Sequence, residues 1–479
     1  MKQLIKKKQD IAENSPEAIP EKIPDLPEKE GKALIFYSFF WSLALLTAVP
    51  FACIYSGEGL SVFGSLYTIL TSPSKLVTDY FELGSLGASF LNAALCGLAC
   101  NIIMLITRAK PSATLLAGYF LVIAHCFYGL NLINMWPPFL GILVYCLTFR
   151  MRFGDLLHLG FFATSLGPFI SDFLFRYTLG DRFVFGEPRV TVLGVILALI
   201  FGLIAGVLIP ALLPGTAKMH RGFNLFKAGL AIGLFGMFAH GLFYNTLGIA
   251  TPDTVITSGL TDGRGNILFV NIFYTAVFAL SIIAGFIGNG CSFKNYNILA
   301  CSDGWQNDFP RDFGMNLTII NIGFYGLFIL TYFNLAFIFT DGVGFTGPSA
   351  GVVIAAITFS AAGQTQKNVW PIIGGYTAVS LLATIVCHLS GLTPAWSLTT
   401  QGYINGIAFA TGLCPFTGVY GRRYGFISGM LHAILCTSTA AMHGGFVLYN
   451  GGLTSGLTAL LLIPILDFYN VKPKTTQNQ

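Results

Sequence analysis

Long apolar stretches recur along almost the whole chain, and they constrain its fold more than any other feature. After Lys32 there are fourteen of them, each close to the ~20 residues that an α-helix needs to cross a bilayer. They lie near 33–55, 84–106, 112–131, 133–149, 154–176, 190–213, 226–248, 267–290, 317–340, 346–365, 369–391, 400–418, 424–448 and 453–469. Charged residues make up 10% of the chain, against roughly 25% in soluble domains. The sequence therefore predicts an all-α, polytopic helical membrane protein with about 14 transmembrane helices.

The charges predict that both ends of the chain lie on the cytoplasmic side of the plasma membrane that it spans. Residues 1–32 contain closely spaced prolines that prevent a continuous helix, so we expect a disordered cytoplasmic tail. If the loops alternate between the two sides, most of the 26 lysines and arginines fall on the side of this tail. The other side receives Lys75, Arg176, Arg182, Arg189 and Arg264. Because basic residues collect in cytoplasmic loops, this distribution favours an even number of spans with both termini inside.

A weak internal similarity predicts a tandem repeat. Residues 79–95 align without gaps with residues 341–357, and the RFG at 152–154 corresponds to the RYG at 423–425. The second copies follow eight spans after the first, and an even number predicts the same orientation for both. We therefore expect a tandem parallel repeat of about six spans per copy. The expected divisions are a first repeat at 33–213, two linking spans at 214–313, a second repeat at 314–470 and a cytoplasmic tail at 471–479.

This repeat favours a transporter or permease. Two copies related by pseudo-symmetry can enclose a path, and many transporters place their substrate site there. The segments 79–95 and 341–357 are rich in small residues, which fit close helix packing and re-entrant helices alike. Few charges fall at the predicted centre, so we expect a small polar solute. The candidate pathway residues are Asp79, Asn92, His158, Thr164, Ser165, Asp341, Ser349, Asn405, His432, Ser438 and Thr439.

Other interpretations stay open at this point. Asp79 and Asp341 fit helix N-caps as well as a cation site at the outer mouth. An intramembrane enzyme acting on a lipid-linked or apolar substrate would need His158, Asp172 and a Ser or Cys within reach of one another. A sensor or scaffold protein that works through the 1–32 tail is a third hypothesis.

We expect no catalytic residues, no metal and no cofactor, because the sequence lacks phosphate-loop, HExxH, GxSxG and EF-hand patterns. The expected partners are the lipid bilayer and the small polar solute, without nucleic acid, and the sequence leaves a homo-oligomer open.

The run LVTDYFELGSLGASFLNAALCGL at 76–98, with the spans that follow it, resembles an uncharacterised family of bacterial multi-pass proteins that is common in clostridia and related Firmicutes. The resemblance covers most of residues 33–470 and implies no established substrate or site residues. A looser likeness to urea transporters rests on the two homologous halves and on QGYING at 401–406. The chain departs from urea transporters because their Asn-Pro signature is missing and the spans are more numerous. This likeness implies a path for a small polar solute.

Overall fold

The computed structural model describes residues 25–253, 266–340, 344–398 and 400–474. In these residues the chain is helical throughout, and ten helices are long and apolar enough to cross a membrane. The predicted class, a polytopic helical membrane protein, is confirmed. Residues 1–24 of the predicted tail and the candidate residue Asp341 lie outside the described residues.

The first half of the described chain contains nine helices. They are α1 Glu28–Ser56, α2 Val62–Thr71, α3 Tyr80–Leu83, α4 Leu86–Ile106, α5 Ala113–His125, α6 Trp136–Thr148, α7 Phe153–Tyr177, α8 Val192–His220 and α9 Lys227–Thr246. A 3₁₀ turn at Thr164–Leu166 interrupts α7, which ends in a π-turn. The first helix begins at Glu28, earlier than the span predicted from residue 33.

The second half repeats this series of helices in the same order. They are α10 Ile267–Gly288, α11 Tyr296–Ala300, α12 Phe309–Asp312, α13 Met315–Phe339, α14 Gly347–Ala356, α15 Gln366–Leu389, α16 Gln401–Ala410, α17 Arg422–Met442 and α18 Asn450–Phe468. Like α7, α16 runs into a 3₁₀ turn, at Thr411–Leu413, and then a π-turn. Each helix from α1 to α9 therefore has a counterpart from α10 to α18.

Four of the fourteen predicted spans contain shorter helices, α5, α6, α14 and α16. Helices α5 and α14 give way to turns that contain Gly129 and Gly363, with φ of 148° and 136°. Residues with a side chain rarely adopt such φ values, so these glycines allow the chain to leave the helix here. At the other end, Ser112 caps α5, and Thr346 caps α14 through a capping box. The local sequence thus fixes both ends of each short helix.

The turns after the two short helices carry the chain the rest of the way across the bundle. After α5, the Asn131 side chain donates to the carbonyl of Ile69 in α2 at 3.0 Å. After α14, the Thr365 hydroxyl donates to the carbonyl of Ala300 in α11 at 3.1 Å. Both broken passages therefore reach the short helix that lies on the far side of their own half.

Contacts at the helix ends define two faces of the bundle. At the tail face, Glu30 at the start of α1 accepts the backbone N–H of Met315 at the start of α13, at 2.5 Å. At the opposite face, Ser85 before α4 donates to Glu58 just after α1. Helix α4 therefore begins at the opposite face, whereas its counterpart α13 begins at the tail face. Successive passages reverse direction, so the helices that cross the second half run opposite to their counterparts.

The predicted tandem repeat is confirmed, but the structure corrects its pairing and its orientation. Residues 79–95 lie in α3 and α4, whose counterparts are α12 and α13. The segment predicted to match them contains α14, which is instead the counterpart of α5. The predicted linking spans at 214–313 are mainly α9, which closes the first half, and α10, which opens the second. Seven passages, α1 and α4 to α9, precede α10. Because seven is odd, the two halves are inverted and not parallel.

The two halves meet tightly where α9 crosses α18. Gly229 and Gly452 are counterparts, and a Cβ atom at Gly229 would lie 2.4 Å from the Cα atom of Gly452. Small residues let helix backbones approach closely, and here they do so without a side chain between them. A contact between two counterparts marks the pseudo-two-fold axis that relates the halves.

We expect Gly229→Ala to lower the free energy of unfolding by about 1–3 kcal/mol, because the added methyl group must push the α18 backbone away. Gly241→Ala is the matched control, since Gly241 lies in the same helix and a Cβ there meets no atom within 4 Å. Thermal unfolding of the purified protein in detergent measures both. Equal melting temperatures for the two variants would show that the α9–α18 contact does not hold the halves together.

Candidate functional site

A buried asparagine supports the broken passage of the first half. Asn92, in the middle of α4, donates from its amide nitrogen to the carbonyl oxygens of Cys126 and Leu130, at 2.8 and 2.9 Å. These carbonyls belong to the turns that follow α5, where the helical hydrogen bonds have ended. The asparagine side chain therefore satisfies backbone groups that neither water nor a helix would satisfy at this depth.

The second half contains the same arrangement atom for atom. Asn321 in α13 donates to the carbonyl oxygens of Ser360 and Gln364, at 2.8 and 2.9 Å. Both asparagines are fully buried. The repetition of these four hydrogen bonds shows that the turns after α5 and α14 are built features of the fold, and that they are counterparts.

A second interruption, in α7 and α16, joins the halves to each other. Its sequence is FATSLGPF at 162–169 and FATGLCPF at 409–416. The backbone N–H of Leu448 donates to the carbonyl of Ser165 at 2.9 Å, and that of Leu225 donates to the carbonyl of Gly412 at 2.9 Å. Each bond runs from one half to the other. The reciprocal pair places both interruptions beside the pseudo-two-fold axis.

Six rings surround the axis between these interruptions, and we call them the ring cluster. They form three pairs of counterparts, Phe162 with Phe409, Phe226 with Tyr449, and His125 with Phe359. The ring centroids of Phe226 and Tyr449 lie 5.7 Å apart, and those of His125 and Tyr449 lie 6.4 Å apart. None of the six is more than 5% exposed. The cluster thus closes the centre of the bundle from both faces.

Polar atoms enter this centre only where the two halves differ. The departures from symmetry are His125 for Phe359, Tyr449 for Phe226 and, beside His125, Tyr128 for Ala362. Both ring nitrogens of His125 and the hydroxyls of Tyr128 and Tyr449 are buried without a hydrogen-bond partner among the residues that the structure describes. An unpaired buried polar group costs about 1–3 kcal/mol, and the counterparts show that apolar residues fit these positions. These three side chains therefore favour a binding role over a packing role.

The ring cluster was not predicted from the sequence, although a repeated sequence pattern indicates which helices are counterparts. The pattern FATxLxPF occurs in both halves and marks the true pairing of α7 with α16. From that pairing, the differences between His125 and Phe359 and between Tyr449 and Phe226 follow directly. The predicted repeat rests instead on the Gly/Ala-rich segments 79–95 and 341–357, and most of these helices share that composition.

Thr164 and Ser165 do lie at the interruption of α7, where their hydroxyls donate to carbonyls three residues earlier at 2.7 and 2.8 Å. Their predicted partners in the second half lie elsewhere, on α17. Ser438 is exposed on the outside of the bundle, and Thr439 is hydrogen-bonded to Thr454 at 2.7 Å. The structure therefore brings the first pair, but not the second, to the axis.

His158 and His432 are also not counterparts, because His158 in α7 corresponds to Asn405 in α16. The side-chain Oδ1 of Asn405 accepts a hydrogen bond from the side-chain amide nitrogen of Gln401 at 2.7 Å. The Nε2 atom of His432 lies 3.4 Å from the carbonyl of Gly451. These predicted pathway residues thus line different helices rather than one face.

Asp79 and Ser349 both act at helix starts, as the N-cap alternative expects for Asp79. The Asp79 carboxylate accepts the backbone N–H of Phe81 in α3 and of Gly347 in α14, each at 2.8 Å. Ser349 completes the capping box with Thr346. The carboxylate is therefore a cap that also connects the two halves.

The groups named for an intramembrane enzyme lie apart. Asp172, near the opposite face, accepts hydrogen bonds from Arg176 at 2.6 and 2.8 Å and from Tyr244 at 2.6 Å. His158 lies near the other end of α7, which begins at the tail face. The structure does not bring Asp172 and His158 into one site.

Replacement of the supporting asparagines tests the broken passages. We expect Asn92→Leu and Asn321→Leu each to destabilise the protein by about 1–3 kcal/mol for every carbonyl left buried and unpaired. Asn245→Leu, at an exposed position, is the control and should leave the melting temperature nearly unchanged. Thermal unfolding in detergent measures the three variants, and wild-type stability of both buried variants would contradict the assigned role.

Comparison with known proteins agrees with this division of the chain. The family model described as protein of unknown function (DUF1576) matches twice, over residues 60–245 and 273–468. Each match covers most of one half, so the two halves are copies of one unit. No curated protein and no solved structure matches the chain. With more than half of its residues matched, this chain belongs to the DUF1576 family.

Proposed function

We propose that this chain is a transporter for a small, uncharged polar solute in the bacterial plasma membrane, and that the solute binds at the ring cluster. The observation that carries the proposal is the set of unpaired polar atoms on His125, Tyr128 and Tyr449, at the axis between two inverted halves. In several transporter folds, inverted repeats meet at a site near the middle of the bilayer, where helices are interrupted. The interruptions of α7 and α16 supply that second feature here.

The chemistry of the cluster favours an uncharged solute. A neutral imidazole offers one donor and one acceptor, and each tyrosine hydroxyl can act as either. The six residues of the ring cluster include no carboxylate, amine or guanidinium group. A net charge at this depth would cost at least ~3 kcal/mol. The flat faces of Phe162 and Phe409 can cover the apolar part of a solute while the polar trio holds its hydrogen-bonding groups.

The inverted halves also supply a mechanism. Because the halves are related by a pseudo-two-fold axis, a movement that opens one face has an equivalent movement that opens the other. The reciprocal bonds of Leu225 with Gly412 and of Leu448 with Ser165 hold the interruptions at the centre of such a movement. We infer that the two halves rock about the ring cluster and expose it to each face in turn.

Substitution toward the symmetry partner gives the sharpest test. His125→Phe and Tyr449→Phe install the residues that the other half already contains, so the protein should fold with equal or greater thermal stability. Uptake into proteoliposomes of labelled urea, glycerol and uracil should fall at least about tenfold, the loss expected from roughly one strong hydrogen bond. Tyr67→Phe, at an exposed position of α2, is the control for loss of a hydroxyl elsewhere.

Two outcomes would contradict the proposal. One is uptake by His125→Phe and Tyr449→Phe at the wild-type rate. The other is a wild-type protein that moves none of an extended panel of uncharged solutes and binds none of them in a thermal-shift assay.

We further propose that the tail face is cytoplasmic. Arg108, Lys110, Arg150 and Arg152 lie at this face, in the turns before α5 and α7, and basic residues are retained on the cytoplasmic side. A fluorescent protein fused after Gln479 should therefore fluoresce, whereas alkaline phosphatase fused there should stay inactive. The same reporters placed after Gly186, between α7 and α8, should give the reverse result.

A further inference from the structure

One carboxylate connects the two halves at the opposite face. Asp79 lies outside the membrane-spanning helices, in the segment before α3, and is only 3% exposed. Its Oδ1 atom accepts the N–H of Phe81 in its own half and the N–H of Gly347 in the other half, both at 2.8 Å. Gly347 is the first residue of α14, so the carboxylate also meets the positive end of that helix. An acidic group is thus buried between the two halves at this face.

The counterpart of Asp79 makes a different set of contacts. Asp308 precedes α12, is partly exposed, and accepts the N–H of Arg311 within its own turn at 3.2 Å. Its backbone N–H donates to Asp312 in the same turn, at 3.1 Å. The hydrogen bonds of Asp308 therefore stay inside its own half. This difference singles out Asp79 from a pair of positions that the repeat made equivalent.

Burial has the largest effect on the pKa of Asp79. Loss of solvent raises the pKa of this carboxyl to about 6, although the two backbone N–H bonds act in the other direction. The negative charge of Glu82 in the same turn raises the pKa further. The other ionisable side chains on the elements packed around it are Lys75 and Tyr80 in its own segment, Tyr67 on α2, Cys96 and Cys100 on α4, and Cys126 and Tyr128 after α5, while α14 has none.

We propose that Asp79 is the proton-binding site of the transporter, and that a proton binds its carboxylate when the opposite face closes. The inference rests on the proposed transport function. One proton from the solution adds to the carboxylate and gives a neutral carboxyl, which still accepts the Phe81 and Gly347 N–H bonds through its carbonyl oxygen. When the face opens, water reaches the group and the proton leaves.

The difference in the pKa of Asp79 between the closed and open states determines how pH shifts the equilibrium between them. The closed state holds Asp79 with a pKa of about 6, whereas a hydrated aspartate has an ordinary pKa near 3.9. The closed state therefore binds the proton more tightly, and acidification from about pH 7 to about pH 4 shifts the equilibrium toward closure by about fiftyfold. Above pH 6 this stabilisation of the closed state is lost. A proton that enters from the opposite face thus promotes closure of that face.

Infrared titration of the full chain in lipid nanodiscs tests the site without any transported solute. The wild-type protein should show a protonated-carboxyl C=O band that disappears with a midpoint near pH 6. Asp79→Asn should lack this band, because its amide keeps the acceptor oxygen but cannot titrate. Asp308→Asn is the matched control and should retain the band. A wild-type carboxyl that titrates only near pH 4, or a band that persists in Asp79→Asn, would overturn the proposal.

Uptake then separates the two proposals. With any solute of the urea, glycerol and uracil panel that the wild type accumulates, uptake should rise as the opposite face is acidified, and Asp79→Asn should lose that dependence. Titration near pH 6 without uptake of any solute would refute the transport function and leave a proton site. Uptake without the titration would refute the proton site alone. If Asp79→Asn does not fold, the wild-type titration by itself decides.

Discussion

The need to satisfy backbone polar groups away from water governs this structure. A helix satisfies its own backbone, but α5 and α14 stop partway across the bundle, and the turns after them expose carbonyl groups. Asn92 and Asn321, at the same position of counterpart helices, each donate two hydrogen bonds to these carbonyl groups. The interruptions of α7 and α16 are satisfied across the axis, by backbone groups of the other half. These bonds therefore stabilise the broken passages and the centre that they enclose.

The same need for hydrogen-bond partners explains why the ring cluster differs from its surroundings. The amide nitrogens of Asn92 and Asn321 are each paired with two carbonyl groups. The buried polar atoms of His125, Tyr128 and Tyr449 have no such partner in the described part of the chain, although the other half fills the equivalent positions with apolar residues. The equivalent positions of the other half hold Phe359, Phe226 and Ala362. An unpaired polar group at these positions costs stability that an apolar residue would not, and this cost is the reason that we propose a binding role for them.

The membrane class, the long apolar helices and the existence of a repeat could be predicted from sequence, because hydropathy and span length depend only on local composition. The pairing of the halves could not be read from Gly/Ala-rich segments, since small residues recur at every close helix crossing. The count of intervening spans then gave an even number and the wrong orientation. Of the predicted pathway residues, Thr164 and Ser165 lie at the interruption of α7 and Ser438 faces outward, and their role in a pathway stays a prediction. The ring cluster was missed because its meaning lies in the differences between counterparts, which appear only after correct alignment.

An odd number of crossings has a consequence for the origin of the chain. When a gene for such a unit is doubled in tandem, the second product must enter the bilayer upside down, since the ribosome delivers it from wherever the first ended. The same helical unit therefore inserts in one orientation as the first half of this chain and in the reverse orientation as the second. Because both copies belong to one chain, each position can differ between them, and the imidazole of His125 and the phenol of Tyr449 make the centre asymmetric within a nearly symmetric arrangement of helices.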